Sequence, residues 1–209
     1  MKRRDAVKNL GMAFGTFVVT PTAIGLLQSC QAPQTKWIPA FYSEEEGKVV
    51  RRLVDAFLPS VEDLPSATEV NVHVFVDKFV KDVMDFEDRK AHRESLQVTI
   101  KELLAVSGNE NIDELESSDY DEFLASNLSK SKEEDEAISA TVSGADDPSS
   151  LPAEARVYSY LTGLRGMSIW AYKSNELVGE TILAYKPVPG EQRGCVDLHE
   201  ATGGRVWSL

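Results

Sequence analysis

The chain has 209 residues, and its 22 lysines and arginines face 34 aspartates and glutamates, for a formal net charge of −12. That balance tells against nucleic-acid binding and against a basic membrane-docking face. The length allows one domain with a real core or two small ones, and no internal repeat or long low-complexity tract is present.

The chain opens Lys2-Arg3-Arg4-Asp5-Ala6-Val7-Lys8, an arginine pair followed by a variable residue, two apolar residues and a lysine. This is the layout of a twin-arginine export signal, with Arg3 and Arg4 as the pair. Leu10 to Leu27 is apolar but diluted by Gly11, Gly15, Thr16, Thr20, Pro21, Thr22 and Gly25. A spanning helix needs about twenty strongly apolar residues, so a cleaved signal fits better than the alternative, a simple membrane anchor. The run ends Leu27-Gln28-Ser29-Cys30, which resembles the lipobox of bacterial lipoproteins, cut before the cysteine that carries the diacylglyceryl group. The other reading is a free Cys30 near an ordinary cleavage site, an exposed thiol that an oxidising compartment disfavours. Residues 1–29 are thus expected to be a lipoprotein signal peptide and Cys30 the lipid attachment site. Loss of Lys2, Arg3, Arg4, Lys8 and Asp5 with the signal leaves 18 basic against 33 acidic residues, a charge of −15.

Residues 30–42 read as a tether that holds residues 43–209, one helical domain, off the bilayer. Ser43 with Glu46 three positions on forms a capping box, and Val49, Val50, Leu53, Val54 and Phe57 follow at helical spacing until Pro59. A second helix is expected to begin near Ala67 to Asn71, with the apolar positions Val72, Phe75, Val76, Phe79, Val80, Val83 and Met84 keeping the i, i+3, i+4 pattern. A third is expected from about Asp88 to Ser107 with Leu96, Ile100, Leu103 and Leu104 inward, and Gly108 stands just past its end. Ser118 is expected to cap a shorter one carrying Tyr120, Phe123, Leu124 and Leu128. The acidic stretch from Lys130 to Ser150 reads as a short exposed helix and a mobile loop. The last clear helix starts near Pro152 and carries Val157, Leu161, Leu164 and Ile169, and Gly163 and Gly166 would permit close approach of another backbone.

From about residue 174 the chain becomes an irregular arm, Leu183 to Leu198, in which Pro187, Pro189, Gly190 and Gly194 exclude a regular helix. Aromatic, arginine and proline side chains in such an arm suit an interface anchor, and an arm wrapped on its own core suits them equally. Cys195 is the one thiol left once Cys30 is lipidated, which points either to a bond with another chain or to a buried inert thiol.

Catalytic constellations are missing. His73, His92 and His199 lie far apart, and none has a glutamate three residues before it, as a di-iron bundle would show. No haem-attachment motif, dinucleotide fingerprint, phosphate loop or nucleophile elbow is present; Gly166-Met167-Ser168 lacks the final glycine. Twin-arginine export carries folded proteins, most often because a cofactor is inserted first, yet this chain has no recognisable cofactor site. The combination points to an escort that carries another protein across.

The twin-arginine start, Trp37-Ile38-Pro39 before Ser43-Glu44-Glu45, the Leu58-Pro59 loop, and Tyr185-Lys186-Pro187-Val188-Pro189-Gly190 with Gly194-Cys195-Val196 together resemble the gluconate 2-dehydrogenase subunit 3 family over essentially the whole chain. What the resemblance implies is a non-catalytic small subunit of a periplasmic, membrane-associated dehydrogenase of sugars or sugar acids. In such a complex FAD sits in a large catalytic subunit, and haem c in a third, cytochrome subunit commonly takes the electrons. The small subunit supplies the signal read by the twin-arginine translocase and holds no cofactor itself. The expectation is therefore an all-α domain of five to six helices, lipid-anchored on the periplasmic side of the envelope. Trp170, Tyr172, Tyr185, Pro187, Pro189 and Gly190 are expected at the interface with the large subunit, and Cys195 as a possible bond to it. The alternative is a stand-alone lipid-anchored helical binding protein.

Overall fold

The structure is a computed structural model that describes residues 37–145, 147, 150–188, 190 and 194–208. The signal segment 1–29 with Arg3 and Arg4, the attachment residue Cys30, the tether up to residue 36, and Pro189 lie outside the described residues. From Ile38 onward the chain is one compact unit.

The unit is all-α. Its elements are α1 (Glu44–Phe57), α2 (Val72–Asp82), α3 (Phe86–Ser107), a 3₁₀ turn at Ile112–Glu114, α4 (Ser117–Leu128), α5 (Lys132–Ser143), α6 (Ala153–Lys173), a π-helical turn at Val178–Ile182 and α7 (Leu198–Thr202). Among the described residues no β-ladder forms, only isolated bridges between Val61 and Leu64 and between Ala184 and Trp207.

Local sequence accounts for most of these ends. The Ser43 hydroxyl accepts from Glu46 N–H while the Glu46 carboxylate accepts from Ser43 N–H, so two otherwise unpaired donors at the start of α1 are satisfied reciprocally. Glu44, Glu45 and Glu46 also complement the helix dipole there. Val49, Val50, Leu53 and Val54 are buried, and the helix stops at Leu58, just before Pro59. The second helix starts at Val72, the first of its apolar positions and just past the expected window, because Asn71 adopts a left-handed conformation at φ 59°. Ala67 and Val70 are buried all the same, in a turn where Asp55 accepts from the backbone and hydroxyl of Thr68. Asp85 caps α3 two residues ahead of the expected start, and Gly108 closes it at φ 73°. Glu116, not Ser118, caps α4, in a capping box with Asp119.

Helix α6 is the element that the others surround, packing on α1, α2, α3, α4 and α5. Ala155, Val157, Tyr160, Leu161, Leu164, Ser168 and Ala171 give it a buried face, and Leu161 and Leu164 are among the most buried side chains of the core. Ser168 tolerates full burial because its hydroxyl donates to Leu164 O at 2.7 Å. Ile169, one residue on from Ser168, falls off that buried face as the helix runs on to Lys173, and its side chain is 42% exposed. Polar α5 buries none of its own residues and is held at its edges, by the Tyr158 hydroxyl donating to Asp135 and by Lys130 pairing with Glu154 at 2.9 Å.

Candidate interaction surface

The buried polar groups are the first place to look for chemistry, and those around the lead-in to α1 are largely taken up by partners in the fold, while the Tyr160 and Thr162 hydroxyls are buried without a hydrogen bond among the described residues. Asp77, 1% exposed on α2, accepts from three consecutive backbone N–H groups: Ala40 at 2.6 Å, Phe41 at 2.9 Å and Tyr42 at 3.2 Å. Arg93 on α3 donates to Phe41 O, lies over the Phe41 ring at 4.2 Å and sits 3.6 Å from Glu46. The Tyr42 hydroxyl is 2.7 Å from His92 Nε2. Burial, with Arg93 beside it, lowers the His92 pKa to about 4, so the ring is neutral at pH 7 and can accept from that hydroxyl. Burial, with Arg51 nearby, likewise lowers His73 to about 4. Tyr160 is pushed well above the usual phenol range by burial, with the Glu46 carboxylate adding to it. Together these contacts fasten the lead-in, residues 40–42, across α2 and α3. Among the described residues no three His, Cys, Asp or Glu side chains are grouped to hold a metal ion.

The surface is more informative. Trp170, on the last turns of α6, is 47% exposed and stands edge-on against Phe75 and Phe79 of α2, with ring centroids 5.1 Å and 5.9 Å away. Phe75 and Phe79 stack on one another, so three aromatic rings reach solvent as one cluster. Gly163 and Gly166, about two turns and one turn before Trp170, lie on the exposed side of α6, and a Cβ built at either would meet nothing within 4 Å. The close approach that these glycines permit is therefore not used within the described fold. Tyr172 turns the other way: its hydroxyl donates to Pro65 O at 2.8 Å, and the ring packs beside the core. Asn175 donates to Val70 O, so the end of α6 is tied to the 58–71 connection at two points.

The arm begins on the core and then leaves it. Val178, Gly179 and Ala184 are buried, and a Cβ on Gly179 would come within 2.8 Å of Ser208 Oγ, where the end of the chain returns. Ala184 N–H donates to Val206 O and Ser208 N–H to Ala184 O, which pins the return. Between these points the apolar side chains face outward: Tyr185 is 50% exposed, Val188 77% and Trp207 46%, with Val196, Leu198 and Val206 more than half exposed. Pro187 and Gly190 are exposed, and Gly190 takes a left-handed φ of 75° that favours glycine. Cys195 is a free, exposed thiol, which excludes the buried inert reading. Trp170 and the arm thus share the character of uncovered apolar surface, whereas Tyr172 is largely committed inward. Among the described residues no helix is long and apolar enough to cross a membrane.

Residues 44–190, about 70% of the chain, match the family model described as gluconate 2-dehydrogenase subunit 3. No curated protein and no solved structure matches the chain. The matched span runs from the first residue of α1 to Gly190 in the arm, so it takes in both the bundle and the first exposed part of the arm.

Proposed function

The chain belongs to the gluconate 2-dehydrogenase subunit 3 family, and on that premise we propose that it is the non-catalytic small subunit of a membrane-associated, flavin-dependent dehydrogenase of sugars or sugar acids. Its role is to support export and maturation of the FAD-containing catalytic subunit. It holds no cofactor in this reading, and a cytochrome c subunit carrying haem is a fitting third component. Residues Arg3 and Arg4 address the pair to the twin-arginine translocase, and lipid on Cys30 keeps it on the periplasmic side of the envelope.

The observation that carries the reading is the apolar surface left open on a chain of this family. Tyr185, Val188, Val196, Val206 and Trp207 stay outward on an arm pinned where Ala184 bonds to Val206 and Ser208, and clustered exposed apolar side chains of this kind mark interaction sites. Large exposed aromatics on a fixed backbone are what a partner's pockets can use at low entropic cost. Cys195 lies within that arm and is accessible for a bond to the partner.

The test is a pull-down of the tagged mature protein from its native membrane fraction, with a visible spectrum and a non-reducing gel of the eluate. A flavin spectrum and a heavy band that splits on reduction are expected. Truncation after Ala184 should abolish co-purification of the flavoprotein. A colourless single band under conditions that preserve complexes would overturn the reading in favour of a solitary lipoprotein.

A further inference from the structure

We propose that the first three turns of α3, together with the lead-in beside them, form a face that lies against an anionic lipid surface. The proposal rests on the reading of Cys30 as a lipid attachment site and goes beyond it by orienting the folded unit on the bilayer. The strap described above fixes where the tether ends. Asp77, Arg93 and His92 hold residues 40–42 on α2 and α3, so nine residues lie between Cys30 and the first held residue, Ala40, and they span at most about 35 Å when fully extended. Whatever surrounds the exit of the tether is held within that distance of the membrane.

What surrounds it is suited to lipid. Ile38 is 81% exposed and Phe86, the first residue of α3, is 69% exposed. A groove of about 460 Å³ lies at Phe86, lined also by Phe41, Arg89, Lys90, Arg93 and Glu94, among others, and Phe41 places it three residues from Ile38 along the chain. At about 100° per residue, Phe86, Arg89, Lys90, Arg93 and Gln97 fall within one arc of about 100° on α3. Asp88 turns away from that arc, Glu94 and Glu87 stand beside one edge of it, and Asp85 caps Asp88 N–H just before the helix. Arg93 is already paired with Glu46 at 3.6 Å and Glu94 with Arg156 at 3.7 Å, so the charge this face offers to an anionic surface is that of Arg89 and Lys90.

The acidic total argues against a membrane-docking face only if every charge counts equally. Screening confines each to about 8 Å at physiological ionic strength, so an anionic bilayer senses the side turned to it and not the sum. Arg and Lys can lay their stems on the apolar groove and reach headgroup phosphates, while Phe86 and Ile38 enter the interfacial layer.

The experiment uses the full-length lipidated protein carrying Cys195→Ser and Phe86→Cys, labelled at the new thiol with an apolar, environment-sensitive fluorophore. A label at Glu133→Cys on exposed α5 serves as the reference position. In vesicles of phosphatidylcholine with phosphatidylglycerol, the label at position 86 should shift to the blue and lose most of its emission to brominated lipid, several-fold more than at position 133. Adding Arg89→Glu and Lys90→Glu should remove most of that difference; Lys90→Glu alone, on an exposed side chain, serves if the double variant loses its thermal midpoint. A vesicle-bound chain with lipid on Cys30 by mass, but a silent label at 86, overturns the face and leaves the anchor reading standing. Absence of both lipid and vesicle association overturns the two together. A label that answers only to the flavoprotein chain assigns this face to a protein partner and also overturns the proposal.

Discussion

Asp77→Ala tests the strap most directly. The carboxylate is 1% exposed and accepts from three backbone donors at 2.6, 2.9 and 3.2 Å. A hydrogen bond to a charged group contributes about 1.5–3 kcal/mol, and a buried donor left unpaired costs a similar amount. Ala40 is exposed and can turn to water, whereas Tyr42 is buried and Phe41 half-buried. Counting one bond replaced by water and two lost, the variant should be destabilised by about 3–5 kcal/mol. At about 2–4 °C per kcal/mol for a domain of this size, the midpoint falls by roughly 10 °C. Thermal unfolding of the mature protein followed by circular dichroism at pH 7 reads this out. Asp77→Asn keeps one acceptor oxygen but turns an NH₂ group towards a backbone donor, so it should fall between wild type and Asp77→Ala. A midpoint for Asp77→Ala within about 2 °C of wild type would refute the claim that this carboxylate fastens the lead-in.

Four further outcomes are expected. Trp170→Ala removes a half-exposed ring from Phe75 and Phe79, so it should cost only about 1–2 kcal/mol in a melting experiment, yet weaken capture of the flavoprotein at least about tenfold; equal and small effects on both would remove Trp170 from the interface. His73 and His92 both have folded pKa values of about 4, below the ordinary value near 6.5, so the unfolded chain binds more protons between those limits. Stability should accordingly be level above pH 6.5 and fall as pH drops towards 4, by a few kcal/mol in all; urea midpoints that rise on acidification through that window would contradict it. Cys195→Ser should abolish the heavy band on a non-reducing gel while the flavoprotein still co-purifies, and a heavy band that persists would place the bond elsewhere. Arg3→Lys with Arg4→Lys should leave this chain and its partner in the cytoplasm; periplasmic dehydrogenase in that strain would end the escort role.

What the sequence discloses depends on how far apart the interacting residues lie. The Ser43–Glu46 capping box, Val49, Val50, Leu53 and Val54 at helical spacing, and Gly108 as a stop are relations among neighbours, and each stands in the fold as its spacing implies. The boundaries that moved are those where tertiary contacts compete with pattern. Ala67 and Val70 are buried as an apolar pattern demands, yet in a turn held by Asp55, so α2 begins only after Asn71. The α6 pattern reads correctly through Leu164; the next buried place belongs to Ser168 and not to its apolar neighbour Ile169, because a hydroxyl bonded to the preceding turn can be buried and sequence hydrophobicity does not register that bond. Asp77 is invisible for the same reason at longer range: an aspartate on a valine-rich helix reads as surface until the lead-in, 35 to 37 residues upstream, is laid across it.

The surface divides in the same way. Exposure of Trp170 and of the outward arm cannot be read from residue type, since tryptophan, valine and tyrosine would fill a core equally well. What the fold adds is that α6 is already surrounded on its other faces, so the side bearing Gly163, Gly166 and Trp170 is the one left over. A helix that packs on five neighbours and still offers an aromatic cluster beside bare glycines has room for one more element. That room is supplied by geometry and not by composition, and it is why the residues proposed for the interface separate into outward Trp170 and Tyr185 and inward Tyr172, although all three are aromatic side chains within sixteen residues of one another.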